Sequence, residues 1–190
     1  MRETDGDAVA TRLAGEVQTT LFAVLCGLVV LGEIFMPAII SVLAPGFADT
    51  PDRMDAAIAL ARVTFPYLPL ISLAAFWAAL ANAHGRFIAA AAMPLIFNLC
   101  MIGGALVIPV ASGWLTTDHA MPIAAALLIA GVLQLGAMGL LLQRRKLMPR
   151  WQMPRFGAAA RRMWRTFAVA SVGGVVMQVN LVIDLVLASL

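Results

Sequence analysis

Asp184 is the residue best placed to do chemistry. It lies deep in the last apolar run, from about Thr166 to Leu190, and Asn180 precedes it by one helical turn, so both share a face. Gly173 and Met177 continue that stripe, with Gln178 beside it. An ionisable residue within such a run is costly and is a functional candidate by default. A carboxylate flanked by amide oxygens suits a hard monovalent cation or a proton. The same pair also suits a plain interhelical hydrogen bond. Glu33 falls toward the outer end of the first apolar run, where a carboxylate reaches water, and Arg62 lies near the outer end of the second, where it can snorkel.

No motif here carries covalent chemistry. His84 and His119 stand alone in polar breaks, and a solvated role is expected for both. Cys26 and Cys100 sit within apolar runs without CxxC spacing, as small hydrophobes do. There is no GxSxG, Walker loop, HExxH or paired carboxylate motif. These absences point away from an enzyme and from a bound metal, beyond a monovalent cation at Asp184.

The elements that must position Asp184 follow from composition. The chain has 190 residues, 62% of them hydrophobic and 12% charged, with a mean hydropathy of +0.93. A soluble domain is roughly 45–50% apolar and about 25% charged. Too few polar side chains exist to cover a water-facing surface, and disorder is excluded by the same numbers. An all-α, polytopic membrane helix bundle is expected. Five runs reach the roughly 20 residues that a span requires: about 17–43, 56–83, 87–111, 120–142 and 166–190. They do not alternate as barrel strands would, and helices satisfy every backbone group internally. Helix formers in residues 7–20 predict that the first helix begins before Val17. Residues 1–16 carry Glu3, Asp5, Asp7 and Glu16, which argues against a cleavable leader. The whole of 1–190 reads as one transmembrane region. The abrupt end at Leu190 suggests a boundary within a longer sequence.

Residues 143–165 decide the expected orientation. They hold eight of the 13 basic residues, Arg144, Arg145, Lys146, Arg150, Arg155, Arg161, Arg162 and Arg165, and no acidic one. By the positive-inside rule this loop is cytoplasmic. Alternation then puts 44–55 and 112–122 outside, with Asp49, Asp52, Asp55 and Asp118, and puts 82–87, with Arg86, inside. The amino terminus is cytoplasmic. The basic loop reads as a topology signal that contacts anionic lipid rather than nucleic acid, and Trp151, Phe156 and Trp164 suit the interface belt. Pro37, Pro66, Pro69, Pro94 and Pro109 predict kinks. Gly103, Gly104, Gly131, Gly136, Gly139, Gly173 and Gly174 predict close helix contact.

The connecting motifs carry a resemblance. APGF (44–47), FPY (65–67), N-x-x-GRF (82–87), P-x-x-x-N (94–98), GVLQL (131–135) and Q-x-N-L-x-x-D-x-x-x-AS (178–189) occur in this order. Together they resemble the MurJ/MviN family of lipid II flippases, over nearly the whole chain. The resemblance implies part of the two-lobed, MATE-like fold of the multidrug/oligosaccharidyl-lipid/polysaccharide exporters. It places these spans as the third to seventh of about fourteen helices, so the sequence reads as incomplete at both ends.

By that resemblance the function is to move lipid II, an undecaprenyl-pyrophosphate-linked disaccharide-pentapeptide, from the inner to the outer leaflet by alternating access. That is a step of cell-wall synthesis in a bacterial inner membrane. The family's cavity arginines lie mainly on its first, second and eighth helices, which have no counterpart here, so the piece alone is expected to be inactive. Asp184 matches a seventh-helix position that contributes to a cation site in some members, with Asn180 adjacent. The resemblance therefore implies no cofactor beyond Na+ or H+ coupling. Gly85 and Arg86 match the GRF element, which fixes a cytoplasmic turn. Lipid II and membrane phospholipids are the implied partners, and nucleic acid is not. Two alternatives stay open: another exporter of the superfamily, for lipid-linked oligosaccharides or drugs, and a non-transporting truncated membrane protein.

Overall fold

The computed structural model describes residues 2–47, 49–107 and 120–152, together with Arg165, Ile183, Asp184, Val186 and Leu187, and excludes the side chains of residues 2–10, Ala89 and Val107. Every element among these residues is helical: α1 (Arg2–Leu43), a short 3-10 turn (Pro45–Phe47), α2 (Pro51–Thr64), α3 (Tyr67–Ala83), α4 (Phe87–Ile102) continued by a π-helical turn (Gly103–Val107), and α5 (Ala120–Arg144). Three stretches are long and apolar enough to cross a membrane: Thr11–Leu43, Pro51–Ala83 and Ala120–Arg144. Ala90–Leu106 is a shorter apolar helix.

Helix α1 starts well before its apolar run. Arg12 and Glu16 pair at i,i+4, with 3.4 Å between Nε and Oε1. Thr19 and Thr20 return their hydroxyls to the carbonyls of Gly15 (2.9 Å) and Glu16 (2.8 Å), so neither hydroxyl is left without a partner. Ala44, restrained from helical geometry by Pro45, ends the helix. Pro51 opens α2 at the first helical position, where its missing N–H is not needed. Asp52 in the first turn complements the helix dipole.

The expected kinks resolve case by case. Pro66 separates α2 from α3, since it cannot donate to the preceding turn. Pro69 lies in the first turn of α3, and Pro37 and Pro94 are carried inside α1 and α4. Pro109 is outside the described residues.

The chain forms two compact units. In one, made of residues 1–23, 34–58 and 149–190, the segment Pro149–Gln152 lies along the first half of α1. Buried Gln18 donates to the Pro149 carbonyl (3.2 Å), and the Gln152 amide donates to the Thr19 hydroxyl (3.2 Å). Trp151 meets Phe22 edge-on, with ring centroids 5.6 Å apart. Gly15 is required there, because a β-carbon would collide with the Arg150 carbonyl.

The other unit, residues 24–33 and 59–148, holds α3, α4 and α5 packed together around Leu73, Ala74, Trp77, Ala130, Met138 and Leu142. Small residues set the approach. A β-carbon at Gly131 would sit 2.8 Å from the Tyr67 ring, one at Gly139 would sit 3.0 Å from Trp77, and one at Gly104 would collide with Ala126. Gly136 faces open space.

Candidate functional site

The turns at the loop-side ends of α3 and α5 are built alike. At α3 the Gly85 amide donates to the Asn82 carbonyl (2.9 Å) and the Arg86 amide to the Ala81 carbonyl (2.9 Å). Gly85 takes the left-handed backbone, φ 71°. At α5 the Lys146 amide donates to Gln143 (3.0 Å) and the Leu147 amide to Leu142 (2.9 Å), with Lys146 at φ 57°. Both are Schellman caps, in which one left-handed residue lets the chain satisfy the last carbonyls and reverse. Glycine does this without strain; lysine does not. His84 closes α3, its Nδ1 2.8 Å from the Leu80 carbonyl.

These caps bring two cations to one place. Arg86 follows the first cap, and Arg145 ends the helical ladder of α5, its backbone N–H donating to the Leu141 carbonyl (3.1 Å). Both line an open pocket of about 430 Å³ whose other walls are Gly85, Phe87, Ile88, Ala92 and Leu141. Both guanidinium side chains are exposed, and no ion pair holds either among the described residues. No acidic side chain lines the pocket.

In mid-bundle a neutral polar group is enclosed instead. Gln134 of α5 is 3% exposed. Its Nε2 donates to the Met93 carbonyl of α4 (2.9 Å), and its Oε1 accepts from the Tyr67 hydroxyl of α3 (3.4 Å). Tyr67 also packs against Phe97, with centroids 6.4 Å apart. One side chain thus ties three helices, and it joins three motifs that are far apart in sequence: FPY, GVLQL and the segment before P-x-x-x-N.

The remaining site residues distribute as follows. Arg144, Arg145, Lys146 and Arg150 are exposed, while Arg161 and Arg162 lie outside the described residues. Asp184 sits on a helical turn beside Ile183, exposed like its neighbour; Asn180 lies outside the described residues. Glu33 and Arg62, read separately in the sequence, face each other with 3.9 Å between Nε and Oε2. That separation is an ion pair too long to be a hydrogen bond, and the Glu33 Oε1 is buried without a hydrogen-bond partner among the described residues. Their similar depth was the signal that could have paired them. Cys26 and Cys100 are free thiols. No group of three or more His, Cys, Asp or Glu gathers among the described residues.

A family model described as "Lipid II flippase MurJ" matches residues 2–190. This chain belongs to the MurJ family. A Rhizobium tropici protein named "Probable lipid II flippase MurJ" is 35% identical over 188 residues, which cover 98% of this chain and 35% of that protein. A protein of the same name from Rhizobium meliloti (strain 1021) is 31% identical with the same coverage. One from Aquifex aeolicus is 27% identical, over 97% of this chain and 36% of its own length. The chain thus spans about a third of the length of these relatives. Family membership and the three long apolar helices make it a membrane protein. The Gln134 clamp gives the FPY and GVLQL segments of this chain a packing role.

Proposed function

We propose that these helices form part of a transporter that carries lipid II from the cytoplasmic to the outer leaflet of a bacterial inner membrane. It is a flippase and not an enzyme. The observation that carries this reading is the family match across residues 2–190. The physical problem is the charged head: unaided, a pyrophosphate and its sugars would shed their water on entering hydrocarbon. A protein cavity offers cationic and hydrogen-bonding partners in exchange, while the polyprenyl tail stays in lipid. A rigid clamp such as that at Gln134 suits a lobe that moves as a body. The basic segment 143–165 faces the cytoplasm, as does the amino terminus, by the excess of arginine there. Asp184, with Asn180, binds Na+ or H+. Such binding drives switching only if the affinity differs between the two states.

The test is an exchange. The matching third of the Rhizobium tropici relative is replaced by residues 1–190 and expressed in cells depleted of their own flippase. Growth, with lipid II reaching the outer leaflet, is expected. A chimera that inserts in the membrane yet restores neither ends this reading. In the same chimera, Asp184→Ala is expected to remove the dependence of flipping on Na+ or pH. Unchanged dependence would discard the cation role alone.

A further inference from the structure

We propose that the pocket between the caps of α3 and α5 binds the phosphate headgroup of an anionic phospholipid, held by Arg86 and Arg145. The pocket volume, about 430 Å³, falls within the range of roughly 300–1,000 Å³ typical of ligand sites. Arg86 and Arg145 both line it, and neither has an acidic partner among the described residues. A guanidinium forks onto phosphate oxygens with paired, charge-assisted hydrogen bonds.

The apolar walls identify the rest of the ligand. Phe87 is 64% exposed and Ile88 is 88% exposed, and with Leu141 they line the same pocket as the two arginines. A free phosphate would leave this apolar surface uncovered. A phospholipid covers both parts at once, its phosphate on the arginines and the start of its acyl chains on Phe87, Ile88 and Leu141. The two Schellman turns give the site a fixed geometry, because their main-chain bonds place Arg86 and Arg145 at defined positions. This sets the pocket apart from a diffuse basic surface. The binding experiment reads neither flipping nor sidedness, so its outcome is independent of the transport reading.

The 190-residue chain is purified in detergent and titrated with dioleoyl phosphatidylglycerol, dioleoyl phosphatidylcholine or undecaprenyl pyrophosphate, with bound lipid counted by native mass spectrometry. Phosphatidylglycerol is expected to bind at least about tenfold tighter than phosphatidylcholine. Arg86→Ala and Arg145→Ala should each weaken phosphatidylglycerol about tenfold and leave phosphatidylcholine unchanged, which also shows that the variants are folded. Arg86→Lys should retain part of the affinity. Arg144→Ala, which lies beside the pocket and not in it, should change affinity much less. Equal losses at all three arginines, roughly fivefold each as a general surface attraction predicts, would overturn the proposal. So would equal binding of the two phospholipids. Tighter binding of undecaprenyl pyrophosphate than of phosphatidylglycerol would give the pocket to the transported lipid and overturn it as well.

Discussion

Gln134 and Arg145 belong to one stretch of chain, and their polar groups have opposite fates. Gln134 is enclosed, neutral and bonded to two neighbouring helices. Arg145 is exposed, charged and without an ion-pair partner among the described residues. The difference follows from depth. In mid-bundle, an unpaired polar group has no water to turn to, so only a satisfied one persists. At the helix ends water and headgroups are available, so a cation can remain open to a ligand. Polarity in the middle fixes packing, and polarity at the end is free to recognise something.

The largest expected effect breaks the middle of the bundle by volume. Gly131 lets α5 approach the ring of Tyr67, and even a methyl group there would lie 2.8 Å from it. Gly131→Leu should destabilise the fold by about 3 kcal/mol, the upper part of the range for overpacking. Gly136→Leu, on a face with open space, should have little effect. Unfolding in a titration of sodium dodecyl sulfate measures both. If the two variants unfold together, Gly131 is not the contact that sets the spacing of α3 and α5.

The second effect tests the clamp itself. Gln134→Leu keeps similar bulk, removes the bond to Met93 and leaves the Tyr67 hydroxyl without this acceptor. In water an orphaned buried partner costs about 1–3 kcal/mol. Interhelical hydrogen bonds in membranes average nearer 0.6 kcal/mol, because the unfolded helices also find partners. A loss of about 1 kcal/mol is therefore expected in the same titration. A Gln134→Leu variant as stable as the parent would reduce the clamp to a contact that directs packing without strengthening it.

These sites were unequally legible in the sequence. Hydropathy placed four of its five apolar runs where α1 to α5 stand, because such a run leaves the backbone few other solutions; the second run is divided at Pro66 into α2 and α3, and the fifth, 166–190, lies almost wholly outside the described residues. Pro66 marked a kink, which the structure makes a break between α2 and α3, and Gly85 marked a turn, since their backbone chemistry is local. Gln134 stands out in the sequence only as part of GVLQL, and nothing near it in the chain names its partners. Those partners, Tyr67 and Met93, lie on other helices and meet it through tertiary packing alone. Arg86 and Arg145 were each visible as charges, but a shared pocket needs both caps in three dimensions. Glu33 and Arg62 were likewise visible singly and not as a pair. Asn180, Arg161 and Arg162 lie outside the described residues, so their arrangement with Asp184 and the basic loop rests on sequence spacing.

The smallest effect compares the two caps. Gly85 and Lys146 hold the same left-handed position at the ends of α3 and α5, at φ 71° and 57°. A lysine there has a β-carbon crowded against the next carbonyl, at roughly 1–2 kcal/mol. Glycine relieves that strain but loses more freedom on folding, which returns part of the gain. Lys146→Gly should therefore stabilise the chain by about 0.5 kcal/mol, a small rightward shift of the same titration. Lys146→Asn removes the same charge in a residue that tolerates the left-handed backbone, so it separates strain from electrostatics. If glycine stabilises and asparagine at least matches lysine, the backbone is the cause. If both weaken the fold, the positive charge near the end of α5 and its favourable position against the helix dipole outweigh the strain. In either case phosphatidylglycerol binding should hold, because Lys146 is not among the residues lining the pocket. A loss of binding in both variants would move the recognition site from the pocket to the cap.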